Sequence, residues 1–220
     1  MKPEILDKEK HADLCYHKDE LPSAAFVPVI APEAGICANN FVLVFTDEEE
    51  SKLVALLGKT ENILIDKDFK GAIPASVLNY PFFLAQVGDQ NLLCIDSEAK
   101  QLKGKGDKLF NKNGEYSDFM KNLISVMENY NDMDMRTKIA IAEIKKTGIL
   151  ESKELGVEKD GKKETLLRGF LVVNPQKLNE LDDKTLADFA RRGYLELIYN
   201  HLRSLGNLQR LVDKIVENKK

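Results

Sequence analysis

Tryptophan is absent from this chain, and its 220 residues include only three cysteines, three histidines and 7% aromatic side chains. Each shortage excludes something. Cys15, Cys37 and Cys94 cannot make a closed disulfide set, and the last two sit in apolar stretches where a thiol serves as a small buried hydrophobe. That usage points to a reducing compartment. His11, Cys15 and His17 are the one cluster of soft ligand types, and no second Cys/His pair completes a zinc site, so no metal is expected.

No window approaches the roughly 18 apolar residues that a membrane span needs. Met1–Lys10 lacks the apolar core of a secretory signal, which sets the expected location as the cytoplasm, with a leaderless export route to the surface left open. A surplus of either charge is missing too: 32 basic residues face 36 acidic ones, well mixed, for a net charge of −4. Nucleic acid, which calls for a basic stripe, is therefore not an expected partner.

Phosphate loops, dinucleotide fingerprints and nucleophile elbows are absent as well, so no cofactor and no catalytic residue is assigned. Asp66–Gly71 and Asn111–Gly114 echo the start of a calcium loop but lack the carboxylate required at its twelfth position. His201 and Ser204 fall on one helical face, yet a nucleophile also needs its base held by a third group.

What is present describes a soluble α+β protein. The composition is 43% hydrophobic and 31% charged. Residues 1–25 read as a polar N-terminal arm and 26–220 as a single domain, large enough to bury roughly 70% of its unfolded surface. Phe26–Pro32 is apolar but rich in proline, an edge strand or packed extended segment. Phe41–Phe45, Leu53–Leu57 and Asn62–Ile65 are short apolar runs between polar turns, which predicts an antiparallel meander.

Pro74–Leu78 reads as a helical turn or two. Pro81–Val87 and Asn91–Asp96 flank Gly88-Asp89-Gln90 as a hairpin. Ser117 can cap a long central helix in which Phe119, Leu123, Val126, Tyr130 and Met133 recur at spacings of three and four, ending at Gly148. A second hairpin turns at Asp160-Gly161, Gly169–Val173 adds a strand, and helices follow Pro175 and Asp182 to form a C-terminal cluster. In the last of these, apolar positions 195, 198, 199, 202, 205, 208 and 211 make a stripe, with Asn200, His201, Ser204, Asn207 and Arg210 threaded through it. Tyr80 to Phe83 could form an apolar lip for a ligand, or simply fill the core where helix meets strand.

In their order these segments resemble the SapC family of bacterial proteins, named for a surface-layer-associated gene cluster. The resemblance is carried by Phe26–Glu33, Leu53–Gly58, Tyr80-Pro81-Phe82, Leu92–Asp96 and Gly169–Leu171, and most specifically by Leu197–Leu208. Asn39-Asn40-Phe41 departs from it, standing where relatives tend to carry Tyr-Pro. The resemblance implies an accessory protein of the surface layer with no established catalytic mechanism.

The first reading is thus a non-enzymatic accessory protein whose partners are other proteins, surface-layer or export components among them. A homodimer through the helix 117–146 is a further expectation. The alternative is a small-molecule-binding protein or cryptic enzyme with a pocket near the Tyr80–Phe83 segment and the C-terminal helix, its ligand held by Tyr80, Phe82, Asn200, His201, Ser204, Asn207 and Arg210.

Overall fold

The computed structural model describes residues 2–18, 23–88, 90–159 and 162–218. Along the chain run β1 (Pro3–Ile5), β2 (Cys15–Tyr16), β3 (Phe26–Pro28), α1 (Ala31–Cys37), β4 (Val42–Thr46), β5 (Leu53–Leu56), α2 (Ala75–Asn79), β6 (Phe82–Val87) and β7 (Gln90–Asp96). Next come β8 (Asp107–Lys108), α3 (Asp118–Lys146), β9 (Leu150–Lys159), β10 (Lys162–Val173), α4 (Pro175–Asn179), α5 (Asp183–Arg191), α6 (Tyr194–Ser204) and α7 (Leu208–Glu217). The fold is α+β, with antiparallel sheets, a long central helix and a C-terminal helical cluster.

The chain divides into two compact units: residues 1–22 with 75–132, and residues 23–74 with 133–220. In the first unit, the expected hairpin of β6 and β7 is extended by β1 in the order β1-β7-β6. The polar arm is tied down by this pairing, Pro3 to Asp96 through Ile5 to Cys94. Its core joins Leu6, Phe82, Ile95, Leu109, Met120 and Met127. Ser117 Oγ accepts the Met120 N–H at 3.2 Å, the expected cap of α3.

The second unit holds a five-stranded antiparallel sheet, β3-β5-β4-β10-β9. Residues of β4 and β5 are buried almost throughout, so both faces of the sheet centre are covered. The third strand beside β4 and β5 is Phe26–Pro28, not the expected Asn62–Ile65. Asn62 explains the difference. Its Oδ1 accepts the N–H groups of Leu64 and Ile65 and its Nδ2 donates to the Ile65 carbonyl, so the apolar run closes on itself as an Asx turn.

The extended reading of Phe26–Pro32 also stops early. At Ala31 a helix begins with Pro32 in its first turn, where a missing N–H has no consequence. Glu33 accepts the Ile30 N–H, and Thr137 Oγ1 accepts that of Ala31 at 2.9 Å.

Glu164–Leu167 and Gly169–Val173 are one strand, β10, paired with β9 through two register shifts. Gly169 has a φ of 79°, the left-handed geometry that lets a bulge re-aim the strand. The expected turn at Asp160-Gly161 lies outside the described residues. Gly193, at a φ of 77°, ends α5 and starts α6.

Candidate functional site

Helix α6 packs on β4, β10 and α1 and carries most of the polar residues singled out in the sequence. The sheet explains why they are there. β4 and β10 pair at Thr46–Phe170 and Phe45–Leu171, and an unbroken ladder would continue to Leu43 and Val173. It does not, because α6 intervenes. Leu43 pairs with Ala55 of β5 and its other main-chain groups meet α6.

The His201 ring fills the gap. Its Nδ1 lies 2.7 Å from the Leu43 carbonyl and its Nε2 lies 3.0 Å from the Val173 N–H. An N–H can only donate, so Nε2 accepts and Nδ1 carries the proton that goes to Leu43. The imidazole is thus a neutral bridge across a splayed pair of strands. It is fully buried and packs beside Phe45, ring centroids 5.0 Å apart. Burial disfavours the imidazolium and lowers the His201 pKa to about 4, opposed only in part by the bond to the Leu43 carbonyl.

Ser204, one helical turn on and equally buried, accepts the Leu43 N–H at 2.9 Å and donates to the His201 carbonyl at 2.6 Å. The pair His201 and Ser204 therefore replaces the ladder at one residue of β4. Ser204→Ala leaves the buried Leu43 N–H without an acceptor, and we expect a loss of about 1–3 kcal/mol in chemical denaturation.

The neighbouring polar residues also bond to main chain. Asn207 Nδ2 donates to the carbonyls of Ala38 and Phe41, at 2.8 and 3.1 Å, tying the segment after α1 to the end of α6. Arg203 Nη2 donates to the Gly35 carbonyl at 2.6 Å and to Asn200 Oδ1 at 3.2 Å. A Cβ on Gly35 would stand 3.4 Å from Asn200 Nδ2, so a longer side chain there has to displace Asn200. Arg210, also exposed, lines an open cleft of about 650 Å3 with Lys214, Lys70, Asn40, Asp66, Asp68 and Phe69.

Tyr80 and Phe82 belong to the other unit. The Tyr80 hydroxyl donates to Asp96 at 2.6 Å, and the Lys2 N–H donates to the other oxygen of that carboxylate. Burial, and then the Asp96 carboxylate, push the Tyr80 pKa upward. Phe82 is buried, its ring centroid 5.4 Å from Tyr16 and 6.3 Å from Phe119.

His11 and His17 are drawn into main-chain bonds, His11 Nδ1 accepting the Asp7 N–H and His17 Nε2 meeting the carbonyls of Lys100 and Lys103. Among the described residues, no three His, Cys, Asp or Glu side chains converge as a metal site. Cys37 is buried, and burial pushes its thiol up to about 12.

One feature of the second unit had no sequence signal. A cleft of about 510 Å3 places Arg136 and Arg192 over a floor that includes Pro32, Met133, Tyr194 and Leu197. Arg192 is held there by Asp188, at 3.3 Å, and by the Tyr194 ring, 4.5 Å from its guanidinium.

Compared with known proteins, the chain matches the family model described as SapC over residues 6–211. No curated protein and no solved structure matches it.

Proposed function

The chain belongs to the SapC family, and on that premise we propose that it is a non-enzymatic accessory protein of surface-layer biogenesis, acting through protein–protein contacts. The observation that carries this reading is the use made of the C-terminal block. His201, Ser204 and Asn207 each bond to main-chain groups of the β4 region, so the polar residues of the block hold a scaffold together. Apolar side chains meanwhile face solvent beside it. Ile36 on α1 and Tyr199 on α6, each next in sequence to the Gly35–Asn200 contact, are 57% and 56% exposed. Exposed aromatic and aliphatic anchors of this kind suit a protein partner, here a surface-layer or export component.

Affinity capture of the folded, abundant protein from its own cells tests the reading. A stable partner is expected, and its loss with Tyr199→Asp would place the contact on the α1–α6 face. A clean negative would overturn it.

Arg210 supports a second reading. With Lys70 and Lys214 it brings three cationic groups to a cleft that also holds Asp66 and Asp68, surroundings for a small polar ligand, whereas Tyr80, Phe82, Asn200, His201, Ser204 and Asn207 are not among its lining residues. Native mass spectrometry of gently purified protein separates the two. An added mass of small-molecule size that disappears in Arg210→Ala favours the ligand. A bare chain or a co-purifying protein favours the accessory role.

A further inference from the structure

Helix α3 carries a second apolar stripe on its solvent side. Thr137, Ala140, Ile141 and Ile144 are buried, which fixes the inward face of its C-terminal half. On the opposite face lie Met135, 54% exposed, Ile139, 50% exposed, and Ala142, also exposed. These three form the floor of a trough of about 680 Å3 beside the Glu49–Ser51 turn. Lys145 fixes that turn, donating to the Glu48 carbonyl at 2.6 Å and to Ser51 Oγ at 3.0 Å.

Extended along the helix, the stripe reads Glu128, Asp132, Met135, Ile139, Ala142, Lys146, all exposed. The spacings are four, three, four, three and four, the seam of a two-stranded coiled coil rather than the broad face of a core helix. Its charge is graded: acids at the N-terminal end, apolar residues in the middle, a lysine at the C-terminal end. The whole helix follows the same gradient. Residues 118–134 carry four acids against one lysine, and residues 135–146 carry four basic residues against one acid.

A seam with opposite charges at its two ends is complementary to itself when reversed. We propose that this face of α3 pairs with the same face of a second copy of this chain, antiparallel and related by a two-fold axis. In the register that keeps seam layers matched, Met135 packs on Ile139 of the other copy, twice over. Asp132 faces Ala142, whose small side chain leaves room, and Glu128 faces Lys146, where a rim ion pair adds orientation more than strength. The parallel alternative stacks Glu128 on Glu128 and Lys146 on Lys146 and is disfavoured. An isologous contact of this kind closes at two copies.

This pairing gives geometry to the self-association within the protein-contact reading, and its test is independent of any other partner. The purified full chain, 24.8 kDa, is followed by sedimentation equilibrium from low to high micromolar concentration. The expected mass rises toward that of a dimer. Ile139→Asp and Met135→Lys, at exposed positions, each hold the chain as a monomer, with the thermal midpoint that the wild type shows at concentrations low enough to be monomeric.

Glu128→Lys and Lys146→Glu each weaken dimerisation about tenfold, and the double exchange returns it to within a few-fold of the wild type, since the altered pair meets itself twice across the axis. A monomer at every concentration overturns the proposal, as does a dimer indifferent to Ile139→Asp. Weakening by both single exchanges without rescue by the double one overturns the antiparallel register.

Discussion

His201→Phe is expected to lower the unfolding free energy of the unit that carries it by about 3–5 kcal/mol. Phenylalanine keeps a flat ring on the same stem but can neither donate nor accept, so the cost is chiefly polar. The Val173 N–H loses the Nε2 acceptor in a buried setting, and the Leu43 carbonyl loses the Nδ1–H that reaches it at 2.7 Å and keeps only the longer contact from the Ser204 hydroxyl, at 3.3 Å. A buried donor or acceptor left without a partner costs about 1–3 kcal/mol, and the slightly larger ring adds strain. Set against a total stability of about 5–15 kcal/mol, the loss is large.

The urea midpoint is expected to fall sharply while the denaturant slope is preserved. His201→Ala loses the same two bonds and leaves a cavity as well, so it should cost at least as much. A change below about 1 kcal/mol in both variants would mean that the ring is not bridging the strands.

Acid weakens the wild-type protein through the same residue. In the folded chain His201 has a pKa near 4, lowered by burial, whereas an unfolded histidine titrates near 6.5. Between those values the unfolded chain binds the proton and the folded chain does not, so stability rises with pH across this window. The contribution is fully present above about 6.5 and is lost progressively as pH falls, the loss reaching about 3 kcal/mol by pH 4.

The structural reason is direct: protonating Nε2 would set two N–H groups against each other at Val173. Unfolding free energies measured from pH 7 to pH 4.5 should slope downward in the wild type and less steeply in His201→Phe. Carboxylates that lose stability on protonation do so at lower pH, as with Glu4, which Lys10 and Ser97 hold down near 2. Equal slopes in the two proteins would assign the acid sensitivity elsewhere.

Local signals in the sequence located most of the elements. The capped start of α3 at Ser117, its stop at Gly148 and the β6–β7 hairpin each follow from a few adjacent residues, and the structure has them. Pattern and structure part where a side chain competes with the backbone ladder. Asn62–Ile65 has the composition of a strand, but the Asn62 amide folds it into a turn, and the vacant place beside β5 goes to Phe26–Pro28.

The C-terminal block is the more instructive case. That His201 and Ser204 share a face was legible from their spacing of three. What they bond to was not, because Leu43 lies 158 residues from His201 and 161 from Ser204. An imidazole between two strands and an imidazole in a ligand pocket give the same letters in a helix. Only the interrupted ladder between β4 and β10 tells them apart. The exposed seam of α3 shows the converse: the rhythm read from the sequence ran through Phe119, Leu123, Val126, Tyr130 and Met133, and the outward set of Met135, Ile139 and Ala142 stands out only against the buried Thr137, Ala140, Ile141 and Ile144.

The most direct test of this account is the protonation state of His201, read from long-range proton–nitrogen NMR correlations of its ring. A neutral ring is expected, with the proton on Nδ1 and an unprotonated Nε2, unchanged from pH 7 down to about pH 5. A ring protonated on Nε2, or one that titrates near 6.5, would contradict the bridge between Leu43 and Val173 and return the C-terminal block to the search for a ligand.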